Sequence, residues 1–579
     1  MSKFYTDEKN ALILVSLLKE NGIQKVIASP GATNVTFVAC VQHDSFFEVC
    51  SAVDERSAAY MACGLAHESG EPVVISCTGA TSSQNYTPGL IEAYYRKLPV
   101  LAITSTQIVS KIGHLVPQIT DRTRLPGDTQ RLSVELPVVK DDDDWWDCEV
   151  KVNKAILELK RGAGGPVHIN LPTYFSRNYE TKNLPSCRRM KRFTVEDDLP
   201  EMRGKVAVFI GAHRKFSTQE SEVLDRFCAA NDAVVFCDHT SSYYGKYRLD
   251  YSLIACQEMM DIDAERPDLF IHIGEVSGDY YSARMTGKEV WRVSEDGEIR
   301  DTFRRLRYVF EMSEKTFFEH YASSSNASSE QYLQQCRTQI GNVREEFPEL
   351  PFSNIWLAQL TAQKIPEGST IHFGILNSLR SWNFFELPSS VTSMSNVGGF
   401  GIDGGLSSIL GASLVDPEKL YYMIIGDLAF FYDMNSLGNR HVGNNLRIMI
   451  VNNGKGTEFR QYSHVAAHFG DQADEFISAS GHFGNKSPVL IKNYVEALGL
   501  KYLSASSKQE YEAVYEEFLS AEKNDQSVVL EVFTNSEEES KALEMVRKIK
   551  RSPGSSAKYV AKKMLSDRSI DKLKKVIRK

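Results

Sequence analysis

Apolar residues in this chain come in short unbroken runs, and most of those runs stop at a small or turn-forming residue. Lys25-Val26-Ile27-Ala28 leads into Ser29-Pro30-Gly31, and Pro72-Val73-Val74-Ile75-Ser76-Cys77 leads into Thr78-Gly79-Ala80. Leu98-Pro99-Val100-Leu101-Ala102-Ile103-Thr104 follows, and Pro166-Val167-His168-Ile169-Asn170-Leu171 closes the set. Continuous apolar runs bounded by turn residues are the mark of strands buried on both faces of a parallel sheet. The carboxyl ends of such strands are where an α/β sheet meets its ligand. Helical patterns fill the intervals, so the segment predicts a doubly wound α/β unit.

The pattern recurs twice. Beyond the basic stretch Cys187-Arg188-Arg189-Met190-Lys191-Arg192, strands are predicted near Val206–Gly211, Ala233–Cys237 and Leu269–Gly274. A Ser/Asn-rich stretch from Ser323 to Ser329 precedes a third block beginning near Pro351, with strands at Tyr421–Ile425 and Leu446–Val451. The fold class is therefore α/β, with three parallel-sheet, Rossmann-like domains over 1–185, 186–345 and 346–540. A basic tail occupies 541–579, in which Ile570, Leu573, Val576 and Ile577 fall at helical spacing. It reads either as a solvated or packed tail or as a segment for an acidic partner or a membrane surface.

Composition narrows the function class. A chain of 579 residues exceeds one core. A net charge of −9 argues against a nucleic-acid binder. No apolar run reaches the roughly 18 residues of a membrane span, and the acids in Met1-Ser2-Lys3-Phe4-Tyr5-Thr6-Asp7-Glu8 are unlike a secretory signal. The ten cysteines are scattered without metal-like pairing, which suits reduced thiols and a cytoplasmic location.

Two carboxylates carry the chemistry. Asp427 opens Gly426-Asp427-Leu428, and Asn452-Asn453 follows one strand later, 453 − 427 = 26 positions on. A hard divalent cation holding a diphosphate needs this donor set: a carboxylate, an amide oxygen and a backbone carbonyl, with phosphate and water completing an octahedron. Asp427 and Asn453 would supply side-chain oxygens and Lys455 its carbonyl, with Mg2+ the natural ion. The alternative is an Asp N-cap beside a polar loop. Glu55, in Val53-Asp54-Glu55-Arg56-Ser57-Ala58-Ala59-Tyr60-Met61, has no part in that metal set. It gains one if the diphosphate belongs to thiamine, whose aminopyrimidine needs a carboxylic acid against a ring nitrogen.

At these residues the chain resembles the thiamine-diphosphate-dependent 2-oxo-acid enzymes, the superfamily of acetohydroxyacid synthase and pyruvate decarboxylase. Its closest resemblance there is to the menaquinone-pathway carboligases, the succinyl-enolpyruvyl-hydroxycyclohexene-carboxylate synthases. Ser29-Pro30-Gly31, Asp54-Glu55-Arg56, Gly401-Ile402-Asp403-Gly404, Gly426-Asp427-Leu428, Tyr432–Leu437 and Val451-Asn452-Asn453 stand in the family's order. The resemblance implies a pyrimidine-binding first domain, a middle domain and a diphosphate-binding third domain. It makes Glu55 the catalytic acid, in a dry pocket among small residues. Cofactor contacts would come from Pro30, Gly31, Thr78, Asn85, Asn377, Gly401, Ile402, Asp403, Gly426, Asp427, Leu428, Asn453, Lys455 and Gly456. Ile402 corresponds to the large apolar residue that bends the cofactor. The cofactor supplies carbanion chemistry; a 2-oxo acid such as pyruvate would lose carbon dioxide and its acyl unit would be added to a carbonyl acceptor. The resemblance also implies a homodimer or homotetramer whose sites are shared between chains. A simple decarboxylase and a non-catalytic cofactor-binding subunit remain the alternatives.

The resemblance stops at the substrate arginines. Where the menaquinone carboligases carry arginine after Ser-Pro-Gly-Ser, this chain has Ser29-Pro30-Gly31-Ala32-Thr33-Asn34. Their Asn-Arg-Gly becomes Asn396-Val397-Gly398, a third arginine position falls near Trp382, and Asp-Arg-Pro becomes Ser105-Thr106-Gln107. Losing these carboxylate donors predicts different substrates. Asn34, Gln118, Trp382 and Glu458 are the candidate substrate contacts, with Gln107, His114 and His464 nearby, a set suited to a hydroxyl-rich or amino-bearing acceptor.

Overall fold

The computed structural model describes residues 4–122, 126–263, 266–279, 281–323, 330–481 and 487–551. The Ser/Asn-rich stretch after residue 323 and the tail beyond residue 551, with its helical spacing, lie outside the described residues. The chain forms two compact units. The first runs to Asp198 and adds Asp296–Glu311; the second holds Leu199–Glu295 and the chain from Met312 onward.

In the first unit the apolar runs become β1 (Lys25–Ala28), β2 (Glu48–Ser51), β3 (Val73–Thr78), β4 (Val100–Gln107), β5 (Leu132–Glu135) and β6 (Val167–Thr173). They pair in the order β2-β1-β3-β4-β6-β5, parallel throughout. Helices α1 (Lys9–Glu20), α2 (Val35–His43) and Asp142–Glu158 cover one face of this sheet. Helices α3 (Glu55–Ser69) and Thr87–Tyr95 cover the other. That double cover is why β3 and β4 are apolar on both faces, each buried along all but the last residue. Every branched aliphatic side chain so buried contributes about 1.5–3 kcal/mol. A short parallel ladder of β7 (Lys191–Phe193) with β13 (Leu306–Phe310) completes the unit.

Helix α3 starts where Asp54 caps it, accepting the Ser57 backbone N–H at 2.8 Å, and ends at Gly70 in the left-handed conformation, φ 68°. Its inner face is Ala58, Ala59, Ala62, Cys63 and Ala66, small enough for helix Thr87–Tyr95 to lie almost against its backbone. A Cβ added at Gly89 would stand 2.4 Å from the Ala59 Cβ. The position of Glu55, the first residue of α3, is thus fixed by close helix packing.

The second unit holds β8 (Val206–Ile210), β9 (Val234–Cys237), β10 (Arg248–Asp250), β11 (Leu269–Ile273) and β12 (Glu289–Val293), in the order β10-β9-β8-β11-β12. It also holds β14 (Thr370–Phe373), β15 (Thr392–Ser395), β16 (Tyr421–Gly426), β17 (Leu446–Asn452), β18 (Lys501–Ala505) and β19 (Val528–Phe533), ordered β15-β14-β16-β17-β19-β18. The ladders are again parallel. Gly426 pairs with Val451, so Asp427 and Asn452-Asn453 leave the sheet side by side. All ten cysteines are free, and no described helix is long and apolar enough to cross a membrane.

Candidate active site

Each unit carries one cluster of the sequence-predicted residues at its strand carboxyl ends. In the first unit, Gly31 follows β1 and Thr78 ends β3, and the two touch: a Cβ on Gly31 would lie 2.6 Å from the Thr78 Cβ. The Thr78 hydroxyl accepts the Thr33 backbone N–H at 3.0 Å, and the Thr33 hydroxyl donates to the Ser105 carbonyl at 2.7 Å. The chain after Pro30 is thereby tied across three strand ends. Glu55 stands half-buried at the start of α3, its Oε2 accepting from Asn85 Nδ2 at 3.2 Å. Val53, Tyr60 and Met61 around it are exposed, so within this unit the carboxyl sits at a surface and not in the dry pocket expected for it.

In the second unit the strand ends hold two buried oxygens without partners. Asp427 is 1% exposed and opens the helix Asp427–Asp433. Backbone N–H groups of Leu428, Asn453 and Gly454 face its carboxyl, yet burial outweighs them and pushes the pKa up to about 7. Its Oδ2 accepts no hydrogen bond, and neither does the buried Oδ1 of Asn453. Asn452 is differently employed: its Nδ2 donates to Glu531 Oε1 at 2.6 Å, locking it into the core. A carboxylate oxygen and an amide oxygen left bare at adjacent strand ends fit a hard cation, which takes oxygen donors only. Lys455, three residues past Asn452, spends its side chain on Asp474 at 2.6 Å, leaving its backbone as the available donor group. Among the described residues no three His, Cys, Asp or Glu side chains gather into a metal cluster.

The loop before helix Gly405–Ser413 carries Gly401, Ile402 and Asp403, with Ile402 half-buried. Asn396 Nδ2 donates to the Gly404 carbonyl at 3.2 Å, and Asp433 accepts the Ser407 backbone N–H at 2.7 Å. A Cβ at Gly401 would stand 2.5 Å from Asp403 Oδ1, which keeps that position bare.

The candidate substrate contacts need correction. Trp382 is fully buried, its indole N–H donated to Asn354 Oδ1 at 3.1 Å and its ring packed on Phe373, so it is core. Asn34 is buried too: Nδ2 donates to the Ser29 and Ser76 carbonyls at 2.9 and 3.2 Å, and Oδ1 accepts the Ser76 hydroxyl. Glu458 is already ion-paired with Arg380. Asn377, its amide turned so that both ends are satisfied, donates to Glu458 Oε2 at 2.9 Å and accepts from the Glu458 backbone N–H at 3.0 Å. These groups line a cavity of about 210 Å³ together with Gln461, His464 and Arg547. Gln118 alone of the four stands exposed, on a loop where its φ is 64°. Sequence reasoning missed two arginines, Arg380 and the buried Arg122. The first had a signal in the helical i, i+3 spacing from Asn377; the second had none.

Parallel α/β sheets with polar clusters at their strand carboxyl ends place the chain among the α/β proteins that bind ligands there. Residues 9–125 match the thiamine pyrophosphate enzyme N-terminal TPP binding domain, and residues 377–532 match the C-terminal TPP binding domain of the same enzymes. The chain is 30% identical over 564 residues to the 2-succinyl-5-enolpyruvyl-6-hydroxy-3-cyclohexene-1-carboxylate synthase of Bacteroides fragilis, covering 93% of this chain and 98% of that one. The enzyme of that name from Phocaeicola vulgatus is 29% identical over 571 residues, covering 93% and 98%. That from Desulfotalea psychrophila is 27% identical over 545 residues, covering 89% and 96%. The chain belongs to the thiamine-diphosphate-dependent enzymes, among the relatives of these synthases.

Proposed function

We propose that the protein is a thiamine-diphosphate-dependent carboligase that decarboxylates a 2-oxo acid, pyruvate-like in its reacting end, and adds the acyl unit to a carbonyl acceptor. The observation that carries the reading is the pair of bare buried oxygens, Asp427 Oδ2 and Asn453 Oδ1, at adjacent strand ends. They would hold Mg2+ with the carbonyl of Lys455, and Gly426, Leu428 and Gly456 would frame the diphosphate. The cofactor, when bound, supplies the electron sink for decarboxylation.

The protein's own part is proton handling and orientation. Glu55 would place its carboxyl against the aminopyrimidine and move a proton there, held by Asn85 and by the tight packing of α3. Ile402 would wedge between the two rings, with Gly401 and Asp403 shaping the loop that presents it. Pro30, Gly31, Thr78 and Asn377 complete the cofactor contacts. In this reading residues 1–185 bind the pyrimidine, 186–345 form the middle domain and 346–540 bind the diphosphate. The exposed Glu55 surface would be covered by a second chain, so each site would be shared within a homodimer or homotetramer. A cytoplasmic location fits ten free thiols.

The test is carbon dioxide release from a panel of 2-oxo acids, with thiamine diphosphate and magnesium, comparing wild type with Glu55→Gln. One acid should be consumed by the wild type at a rate that falls on the order of 100-fold or more in the variant. Release of free aldehyde at full rate without any acceptor would replace the carboligase by a decarboxylase. Failure to bind the cofactor would remove the reading altogether.

A further inference from the structure

We propose that a cavity of about 440 Å³ in the second unit binds a small phosphate monoester whose apolar body ends in a hydrogen-bond donor. The cavity lies between β10, helix Gln331–Glu345 and the segment that leads into β15. None of the residues assigned to the cofactor or the cation lines it, so the inference stands apart from the carboligase reading.

Helix Gln331–Glu345 sets the binding face. Arg337, Ile340, Gly341 and Arg344 stand at i, i+3, i+4 and i+7, so they share one side, with the two arginines about 10 Å apart along the axis. Arg337 is exposed; its Nη2 donates to the Lys246 carbonyl at 2.9 Å, and no described carboxylate is ion-paired with it. Arg344 keeps a buried Nε without a hydrogen-bond partner. Its Nη2 meets Glu386 at 3.3 Å in a pair more than a third exposed at both ends, which holds little energy against solvent. Arg248, also on the cavity wall, is spent on Asp250 and on the Tyr243 and Asp238 carbonyls. Gly341 costs its helix about 1 kcal/mol relative to alanine, yet a Cβ there would meet nothing within 4 Å. Packing does not demand the bare position; it leaves room beside the two guanidinium groups. On the buried wall, His239 is 1% exposed, with Nε2 3.0 Å from the Trp382 carbonyl. A carbonyl only accepts, so Nε2 carries the proton, and Nδ1, which has no partner, is left a bare acceptor. Burial lowers the pKa of the ring and keeps it neutral.

These groups describe a ligand in three parts. Arg337 and Arg344 call for an oxyanion at the open end. A phosphate monoester, with a charge of about −1.5 to −2 at neutral pH and three terminal oxygens, can be shared by two guanidinium groups. A single carboxylate would leave one of them uncompensated. Leu249, Ile340 and Leu387 take an apolar body. His239 Nδ1 takes a hydroxyl or N–H donor at the inner end, where an unmatched acceptor would otherwise stay desolvated.

The test is calorimetric titration of the full-length protein saturated with thiamine diphosphate and magnesium, so that any diphosphate site is already filled. The probes are phenyl phosphate, 4-aminophenyl phosphate and benzoate. Phenyl phosphate should bind at one site per chain. The amino compound should bind on the order of 3–10-fold more tightly through its added donor, and benzoate on the order of 10-fold more weakly. Gly341→Leu puts a side chain into the cavity, removes no contact and favours the helix, so it should fold as the wild type does and bind neither phosphate. Arg337→Gln should weaken phenyl phosphate on the order of 10-fold or more. No binding by the wild type, or binding that Gly341→Leu leaves intact, would overturn the inference. Benzoate held as tightly as phenyl phosphate would overturn the phosphate assignment, and equal affinity for the two phosphates would overturn the part given to His239. If Gly341→Leu does not fold, Arg337→Gln, whose side chain is exposed, decides: undiminished affinity overturns the site. A chain that takes no cofactor removes the carboligase reading, while the same titrations still decide this one.

Discussion

Asp427 and Asn453 each keep one buried oxygen bare, and within the fold neither oxygen has a stabilising partner. Replacing Asp427 by the isosteric Asn removes a carboxylate whose ionised form burial penalises. Asp427→Asn should therefore leave the melting temperature of the cofactor-free protein unchanged or raise it, while weakening magnesium-dependent cofactor binding by at least about 100-fold. Calorimetric titration with and without a chelator checks it: the chelator should abolish wild-type binding and do nothing further to the variant. A destabilised apo variant with intact binding would mean that the carboxyl serves the fold instead. At this scale the sequence was readable where a motif is contiguous, as in Gly426-Asp427 and Asn452-Asn453. It could not say which asparagine stays available, because that depends on Glu531, 79 positions from Asn452. Trp382 and Asn34 misled for the same reason: their partners, Asn354 and Ser76, are 28 and 42 positions away.

The strands show how a polar residue inside an apolar run can serve its element. His168 lies in β6, fully enclosed, with Nε2 against the Thr104 hydroxyl of β4 at 2.7 Å and Nδ1 against the Ser133 hydroxyl of β5 at 2.8 Å. It ties three neighbouring strands through one ring. Burial first, and the Arg122 charge second, lower its pKa from 6.5 to about 3. The unfolded chain takes up the proton near pH 6.5 and the folded chain only near pH 3, so the unfolded state binds more protons between these values. The contribution is whole above pH 6.5 and is lost as pH falls toward 3, by about 3 kcal/mol at pH 4.5. Denaturant unfolding at pH 7 and pH 4.5 should show that loss in wild type and not in His168→Gln; equal slopes would mean the ring is hydrated when protonated. The strands themselves were legible from runs of Val, Ile and Leu, because a doubly covered parallel sheet needs nothing else. The cross-strand ties were not, since β4, β5 and β6 stand far apart in sequence, the last two separated by the 17-residue helix Asp142–Glu158, and their register is settled only when the sheet assembles.

At the scale of the molecule, the proposed reading places the catalytic carboxyl and the cation ligands of each site on different chains. Val53, Tyr60 and Met61 leave an apolar surface around Glu55 that one unit does not cover, and covering it with a second chain would give Glu55 the dry surroundings its proposed role requires. A shared site has a consequence that no intrachain site can imitate. Glu55→Gln and Asp427→Asn chains should each be inactive alone, because every site in either homodimer carries one lesion. When the two are mixed and allowed to exchange subunits, a heterodimer gathers both lesions into one of its sites and leaves the other intact. Random exchange makes half the dimers mixed, so the mixture should recover roughly a quarter of wild-type activity per chain. Sites built within one chain would recover nothing, since every chain is then defective. Size-exclusion chromatography of differently tagged chains establishes that exchange occurred, which makes a null result as informative as recovery.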